Sequence, residues 1–262
     1  MSRFCNLFSS SKGNCTYLAG GGTAVLVDVG VSYRALMGAL ASQGLSVGDL
    51  KAVLITHEHT DHIKGLPMLL KRLGLPVYAS AGTLEHLCAQ GLVPPGTILA
   101  EMCGTMQVGD LQVNAFPIPH DARDPVGFRF LMPDERSVAI ATDLGHITDE
   151  VRRQITGCDL VMLESNYDPG MLAVSRYPYS LKRRIKGSHG HLSNNACAKE
   201  IIRLVQLGTT RLVLGHLSEQ NNLPALAYET GRASLTAGGM KEQIDYILKV
   251  APAHGPKELL VF

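Results

Sequence analysis

Six short apolar runs, at residues 23–27, 52–56, 111–116, 137–142, 159–163 and 211–215, each end on or just before an ionisable side chain. The residues that follow them are Asp28, His57, His120, Asp143, Glu164 and His216. β-branched runs of this length read as buried strands, and a polar residue at the same end of each places the chemistry at one edge of the sheets. Between them lie helical patterns: Ile63, Leu66, Leu69, Leu70 and Leu73 at helical spacing, and residues 196–207 with Ile201, Leu204 and Val205 on one face. Strands alternating with helices in both halves predict an α/β class, with sheets buried under helices around a shared cleft.

Composition narrows this further. The 262 residues are 45% hydrophobic and 18% charged, enough to bury a sizeable core and unlike a disordered chain. A net charge of +1 excludes a strongly basic nucleic-acid coat, so a polyanion must be held by a local patch. No linker or repeat divides the chain, and a single domain over residues 1–262 is expected. The six cysteines form no C-x-x-C pair, which fits a reduced, cytoplasmic protein better than a disulfide framework. No apolar run reaches signal-peptide or membrane-spanning length, so neither secretion nor a membrane partner is expected.

The densest signal is His57-Glu58-His59-Thr60-Asp61-His62, directly after a strand and before an amphipathic helix. In an extended turn His57 and His59 share a side, while Asp61 and His62 open the helix and can aim at a second point. Imidazole and carboxylate are the ligands that borderline cations such as zinc take.

This H-x-H-x-D-H motif resembles the signature of the metallo-β-lactamase superfamily. Later positions of the family pattern follow in order, with His120 in P-I-P-H, Asp143 in A-T-D-L-G, and His216. The resemblance implies a four-layer αββα sandwich, with α/β (α+β) composition, and a two-metal site. One cation would take His57, His59 and His120, the other Asp61, His62 and His216, with Asp143 bridging and Asp61 also counted as catalytic. His59 stands where the oxygen-reducing diiron branch carries glutamate, which favours hydrolysis. Two cations roughly 3.5–4 Å apart can share a water and lower its pKa from ~15.7 towards neutrality, supplying a bridging hydroxide as nucleophile. With no cysteine among the ligands, zinc is the default cofactor, with manganese or iron as alternatives.

Further segments resemble the YycJ (WalJ) branch, regarded as DNA exonucleases or phosphodiesterases and related to RNase Z and PhnP-type enzymes. They are the Ser-rich turn at residues 9–14, Glu164-Ser165-Asn166-Tyr167-Asp168, the stretch from Gly187 to Asn194, and His216 to Asn222. The chain departs from the branch pattern at Ser10, where glycine is expected, and Tyr167, where histidine is expected. By the RNase Z pattern, Glu164 would orient His191, and His191 would protonate the leaving oxygen. Ser9, Ser11, Lys12 and Asn14 would offer a phosphate-binding turn.

Residues 169–199 carry Arg176, Lys182, Arg183, Arg184, Lys186 and Lys199 with no acid, interleaved with Tyr177 and Tyr179, a pattern suited to a nucleic-acid strand. Arg183 and Arg184 are the substrate-binding candidates there. His86, His146 and His254 read as surface or structural, and His189 has no assigned role. The 51 residues between Glu164 and His216 leave no room for the large β-CASP insertion.

The expected activity is therefore dinuclear phosphodiester hydrolysis on nucleic acid, of the DNA-exonuclease type. Thioester, lactone or small cyclic-phosphodiester hydrolysis on the same fold is the first alternative, and a non-catalytic metal-bound regulatory module the second.

Overall fold

The computed structural model describes residues 1–262. The chain forms two compact units, one of Met1–Ala115, Ala122–Arg136 and Pro252–Phe262, the other of Phe116–Asp121 and Ser137–Ala251.

The first unit opens with an antiparallel meander, β1 (Arg3–Ser10), β2 (Gly13–Gly20) and β3 (Thr23–Val27). Then α1 (Tyr33–Ser42) leads to β4 (Leu50–Leu54), α2 (Thr60–Ile63) and α3 (Leu66–Leu73) lead to β5 (Val77–Ala79), and α4 (Ala81–Ala89) leads to β6 (Leu99–Glu101). From β3 to β6 the pairing is parallel, because a helix returns the chain each time. The strands β7 (Thr105–Val108), β8 (Leu111–Pro117) and β9 (Val126–Leu131) follow.

Every residue of β2 and β3 is buried, as expected for central strands. The sheet packs Leu7, Tyr17, Leu26 and Val53 against Leu36 of α1 and Leu69 of α3. Ser32 caps α1 by accepting a hydrogen bond from the Ala35 amide at 3.3 Å.

The apolar spacing from Ile63 to Leu73 predicts one helix, but two are present, separated by Lys64 and Gly65. The Gly65 amide donates to the Val29 carbonyl at 2.8 Å. A Cβ at Gly65 would lie 1.9 Å from the Val31 carbonyl oxygen. Backbone packing on the loop after β3 therefore resets the helix, an effect that hydrophobic spacing does not register.

The second unit is built on β10 (Ser137–Ala141), β11 (Leu160–Glu164), β12 (Arg211–Gly215) and β13 (Ile247–Val250), all parallel in the order β13-β12-β11-β10. Helices α5 (Asp149–Ile155), α6 (Pro169–Val174), α7 (Tyr179–Ile185), α8 (Asn194–Gln206) and α9 (Pro224–Ala237) make the connections. Val161, Leu163 and Leu214 of the strands pack with Ile201 and Leu204 of α8 and Leu235 of α9. The register pairs Ala141 with Leu163 and Glu164 with Gly215, so these strands finish level. Their carboxyl ends consequently deliver Asp143, Glu164 and His216 to one place. The chain returns to the first unit as β14 (Leu260–Val261), which pairs with β1 and completes a seven-stranded sheet in the order β14-β1-β2-β3-β4-β5-β6.

Candidate metal centre and proton-transfer pair

Strand ends position most of the candidate side chains. Asp28, Asp143 and His216 each follow a strand and each has a left-handed backbone, with φ of 62°, 60° and 53°. The reversal folds the side chain back over the strand end, at a conformational cost of roughly 1–2 kcal/mol for an ordinary L-residue and less for aspartate.

In the first unit, the buried Asp28 carboxylate organises the motif. Its Oδ1 accepts the Thr56 amide at 2.8 Å, and its Oδ2 accepts the His62 Nδ1 proton at 2.8 Å. The Thr56 hydroxyl donates to the same carboxylate at 2.8 Å and sits 3.0 Å from His57 Nδ1. These contacts hold the protons of His57 and His62 on Nδ1 and leave both Nε2 atoms as lone-pair donors.

His57 Nε2 and His59 Nδ1 lie 3.1 Å apart. Two nitrogens ~2.05 Å from a tetrahedral zinc would be ~3.3 Å apart, so this pair has the spacing of a chelate. Asn14 Nδ2 lies 3.1 Å from His62 Nε2 and 3.3 Å from Asp61 Oδ2. Glu58, inside the motif, is used structurally, accepting the Arg123 amide at 2.8 Å.

In the second unit, Glu164 is wholly buried and is the hub. Its Oε2 accepts the amides of Leu144 at 3.0 Å and Leu192 at 2.9 Å. Its Oε1 accepts from Nδ1 of both His191 and His216, each at 2.8 Å. Burial alone would raise the Glu164 pKa, but the charge of His191 and the hydrogen bonds from His191 and His216 outweigh it and hold the carboxyl below its ordinary value. Burial likewise opposes a charge on His191, yet the adjacent Glu164, with help from Asp143, holds its pKa above the ordinary histidine value.

His120 has the opposite balance. Burial lowers its pKa more than the nearby Asp143 raises it, so it favours the neutral imidazole that a metal requires. Its Nδ1 donates to the Gly190 carbonyl at 3.1 Å, leaving Nε2 to point at Asp143 Oδ1, 3.8 Å away. One ligand atom from each of Asp143, Glu164, His191 and His216 lies within 4.8 Å of the others. In both units the donors are imidazoles and carboxylates, with outer carboxylates or carbonyls fixing the tautomers, and this chemistry fits divalent cations.

Within the first unit the structure gathers His57, His59, Asp61 and His62. Within the second it gathers His120, Asp143, Glu164, His191 and His216. The turn at residues 9–14 is divided in its placement: Ser9 is the buried penultimate residue of β1 and Asn14 faces the motif, while only Ser11 and Lys12 are exposed. Asn14 is thus placed against the candidate ligands Asp61 and His62. Arg184 is paired with Asp121, whereas Arg183 and Lys186 lie exposed in a groove with Tyr179 and Lys182. His146 lies 2.9 Å from the Ser188 carbonyl, and His189 is exposed.

Sequence reasoning did not identify Asp28 as functional, nor the second histidine on Glu164. The available signal for Asp28 was its place at a strand end, the position shared by the recognised ligands.

A family model for the beta-lactamase superfamily domain matches residues 23–217. The chain therefore belongs to the metallo-β-lactamase superfamily, whose members include metal-dependent hydrolases. Within it, the chain is 36% identical to the exodeoxyribonuclease YycJ of Bacillus anthracis over 86% of this chain and 85% of that protein. It is 34% identical to the exodeoxyribonuclease WalJ of Streptococcus pneumoniae over 93% and 92%. Zinc-bound PqqB from Methylobacterium extorquens shares the fold, with a TM-score of 0.73 at 18% identity and full coverage of both chains (100% each).

Proposed function

We propose that the protein is a dinuclear metal phosphodiesterase acting on nucleic acid, with the activity of a DNA exonuclease. In this reading His57, His59 and His120 hold one divalent cation, and Asp61, His62 and His216 the other, with Asp143 between them. The whole chain is read as one catalytic domain. The cations, for which zinc is the first choice, would supply an activated water and neutralise charge on the phosphoryl oxygens.

The observation that carries the phosphodiester reading is the Glu164–His191 pair, 2.8 Å apart and adjoining Asp143. Cleavage of a phosphodiester expels a strongly basic alkoxide, which needs a proton as it departs. His191 carries that proton, and Glu164, kept ionised by four hydrogen bonds, stabilises the imidazolium and fixes its ring. Water and a phosphodiester then yield a phosphate monoester and a free hydroxyl. Hydrolysis of a thioester, whose thiolate leaves without a proton, would give this pair no task. The exodeoxyribonuclease activity named for the relatives of similar length supports DNA as the substrate. Exposed Arg183 and Lys186 beside Tyr179 offer contacts for the strand, and Ser11 and Lys12 a second, smaller one. Six free cysteines fit a reducing compartment such as the cytoplasm, and no helix is long and apolar enough to cross a membrane.

The deciding experiment is digestion of single- and double-stranded DNA labelled separately at each end, using protein stripped with EDTA and reloaded with zinc or manganese. Progressive release of nucleotides from one end is expected. A reloaded protein that hydrolyses thioesters but no phosphodiester would overturn the assignment.

A further inference from the structure

A second basic groove, outside the residues assigned above, lies on the first unit between α1 and the α2–α3 junction. Its walls include Ser32, Tyr33, Arg34, Lys64, Met68 and Arg72, with no acidic residue. Arg34, Lys64 and Arg72 are exposed and have no carboxylate partner. Neither α1 nor α3 contains an acid to offset them. Cations of one sign held close together repel one another, so an arrangement like this stores favourable interaction for an anion.

The groove is also built rather than incidental. The Gly65 amide bonds the Val29 carbonyl, and its missing side chain lets the junction close onto Val31. That contact sets Lys64 and Arg72 opposite Tyr33 and Arg34, while Leu36, Leu69 and Leu70 anchor both helices from below. Lys64 is the C-cap of α2, two residues beyond His62 in the chain, so the groove is built on the same short helix that carries Asp61 and His62. Tyr33 and Met68, the latter 46% exposed, supply flat or pliable apolar surface among the cations.

We propose that this groove binds the sugar-phosphate backbone of the nucleic-acid strand whose scissile bond lies at the His57-to-His62 centre. Arg34, Lys64 and Arg72 contact successive phosphates, and Tyr33 and Met68 lie against sugars or bases. The inference rests on the nuclease reading and deepens it, giving the substrate a grip on the unit that carries the H-x-H-x-D-H motif. A lipid surface is disfavoured because Met68 is the one strongly exposed apolar side chain in the groove, too little to enter a bilayer.

The test compares wild type, Arg34→Ala/Arg72→Ala and Arg34→Lys/Arg72→Lys for binding of a fluorescent single strand of about 20 nucleotides with cleavage-resistant phosphorothioate links. Each phosphate contact on a single strand contributes about 0.7 to the slope of log affinity against log salt, so the alanine variant should lose about 1.4. At about 50 mM salt this corresponds to roughly 60-fold weaker binding, with the lysine variant close to wild type in slope. An unchanged slope in the alanine variant overturns the proposal. So does wild-type binding to phosphatidylglycerol vesicles as tight as to the strand, lost in the same variant. The readout requires no turnover. A reloaded wild type that binds DNA through Arg34 and Arg72 yet cleaves no phosphodiester would refute the nuclease reading and leave the groove standing.

Discussion

Replacing Asp28 with asparagine changes one atom and one charge at the centre of the first unit, and its effect can be worked through atom by atom. The Asp28 carboxylate accepts the Thr56 amide on Oδ1 and the His62 Nδ1 proton on Oδ2, each at 2.8 Å. In Asp28→Asn the amide oxygen keeps the Thr56 contact, and the new NH2 group faces the His62 Nδ1 proton, donor against donor. His62 escapes by moving its proton to Nε2, the nitrogen proposed to bind metal. A hydrogen bond to a charged group contributes about 1.5–3 kcal/mol. Metal binding must now restore the unfavourable tautomer, so affinity at one cation should fall by about 10- to 100-fold, as for other outer partners of metal-bound histidines. Stability of the metal-free protein should fall less, by about 1–2 kcal/mol, because the amide still fills the site and bonds Thr56. The assay is zinc titration against a chromophoric chelator, with thermal unfolding of the metal-free protein alongside. Wild-type affinity for both cations in a folded Asp28→Asn protein would refute the role given to Asp28.

Other substitutions separate the remaining roles. His191→Ala should slow DNA hydrolysis by about 10²- to 10⁴-fold, but hydrolysis of bis(p-nitrophenyl) phosphate by less than about tenfold, because that leaving group departs as a stable phenolate. Equal losses on the two substrates would remove His191 as the proton donor. Asp143→Ala should abolish turnover and release metal, measured by elemental analysis after desalting, whereas Lys12→Ala should keep most of both; near-normal turnover in Asp143→Ala would refute a bridging carboxylate. His216→Gly and His216→Ala should both lose the cation, yet the glycine variant should be the more stable by about 1 kcal/mol, since φ of 53° strains alanine and suits glycine. Identical melting temperatures would show that the backbone relaxes once the imidazole is gone.

Much of this architecture was legible in the sequence because a strand end is a local pattern. The runs before Asp143 and His216 correspond to β10 and β12, and the motif at residues 57–62 lies between β4 and α3 as expected. The Glu164–His191 contact followed from the family pattern, although 27 residues separate the two. Interactions set by distant chain segments were not legible. Asp28 meets His62 across 34 residues, and nothing in the spacing of either marks the other. Arg184 looked equivalent to Arg183 until Asp121, 63 residues away, was found to hold it. The interruption of the helix at Gly65 depends on the approach of Val31, which hydrophobic periodicity cannot express.

The left-handed backbone at Asp28, Asp143 and His216 has a consequence for anyone who redesigns this chain. All three side chains are buried, and each occupies a conformation that glycine adopts with less strain. A library screened for heat resistance alone, in the absence of metal, would credit glycine at these positions for the backbone and the native side chains only for their hydrogen bonds, with nothing to weigh the metal. A variant that passes such a screen can be stable and inert. Selection for thermostability in this protein should keep these three positions fixed, or be run with metal present, so that binding also counts for the side chains that would hold it.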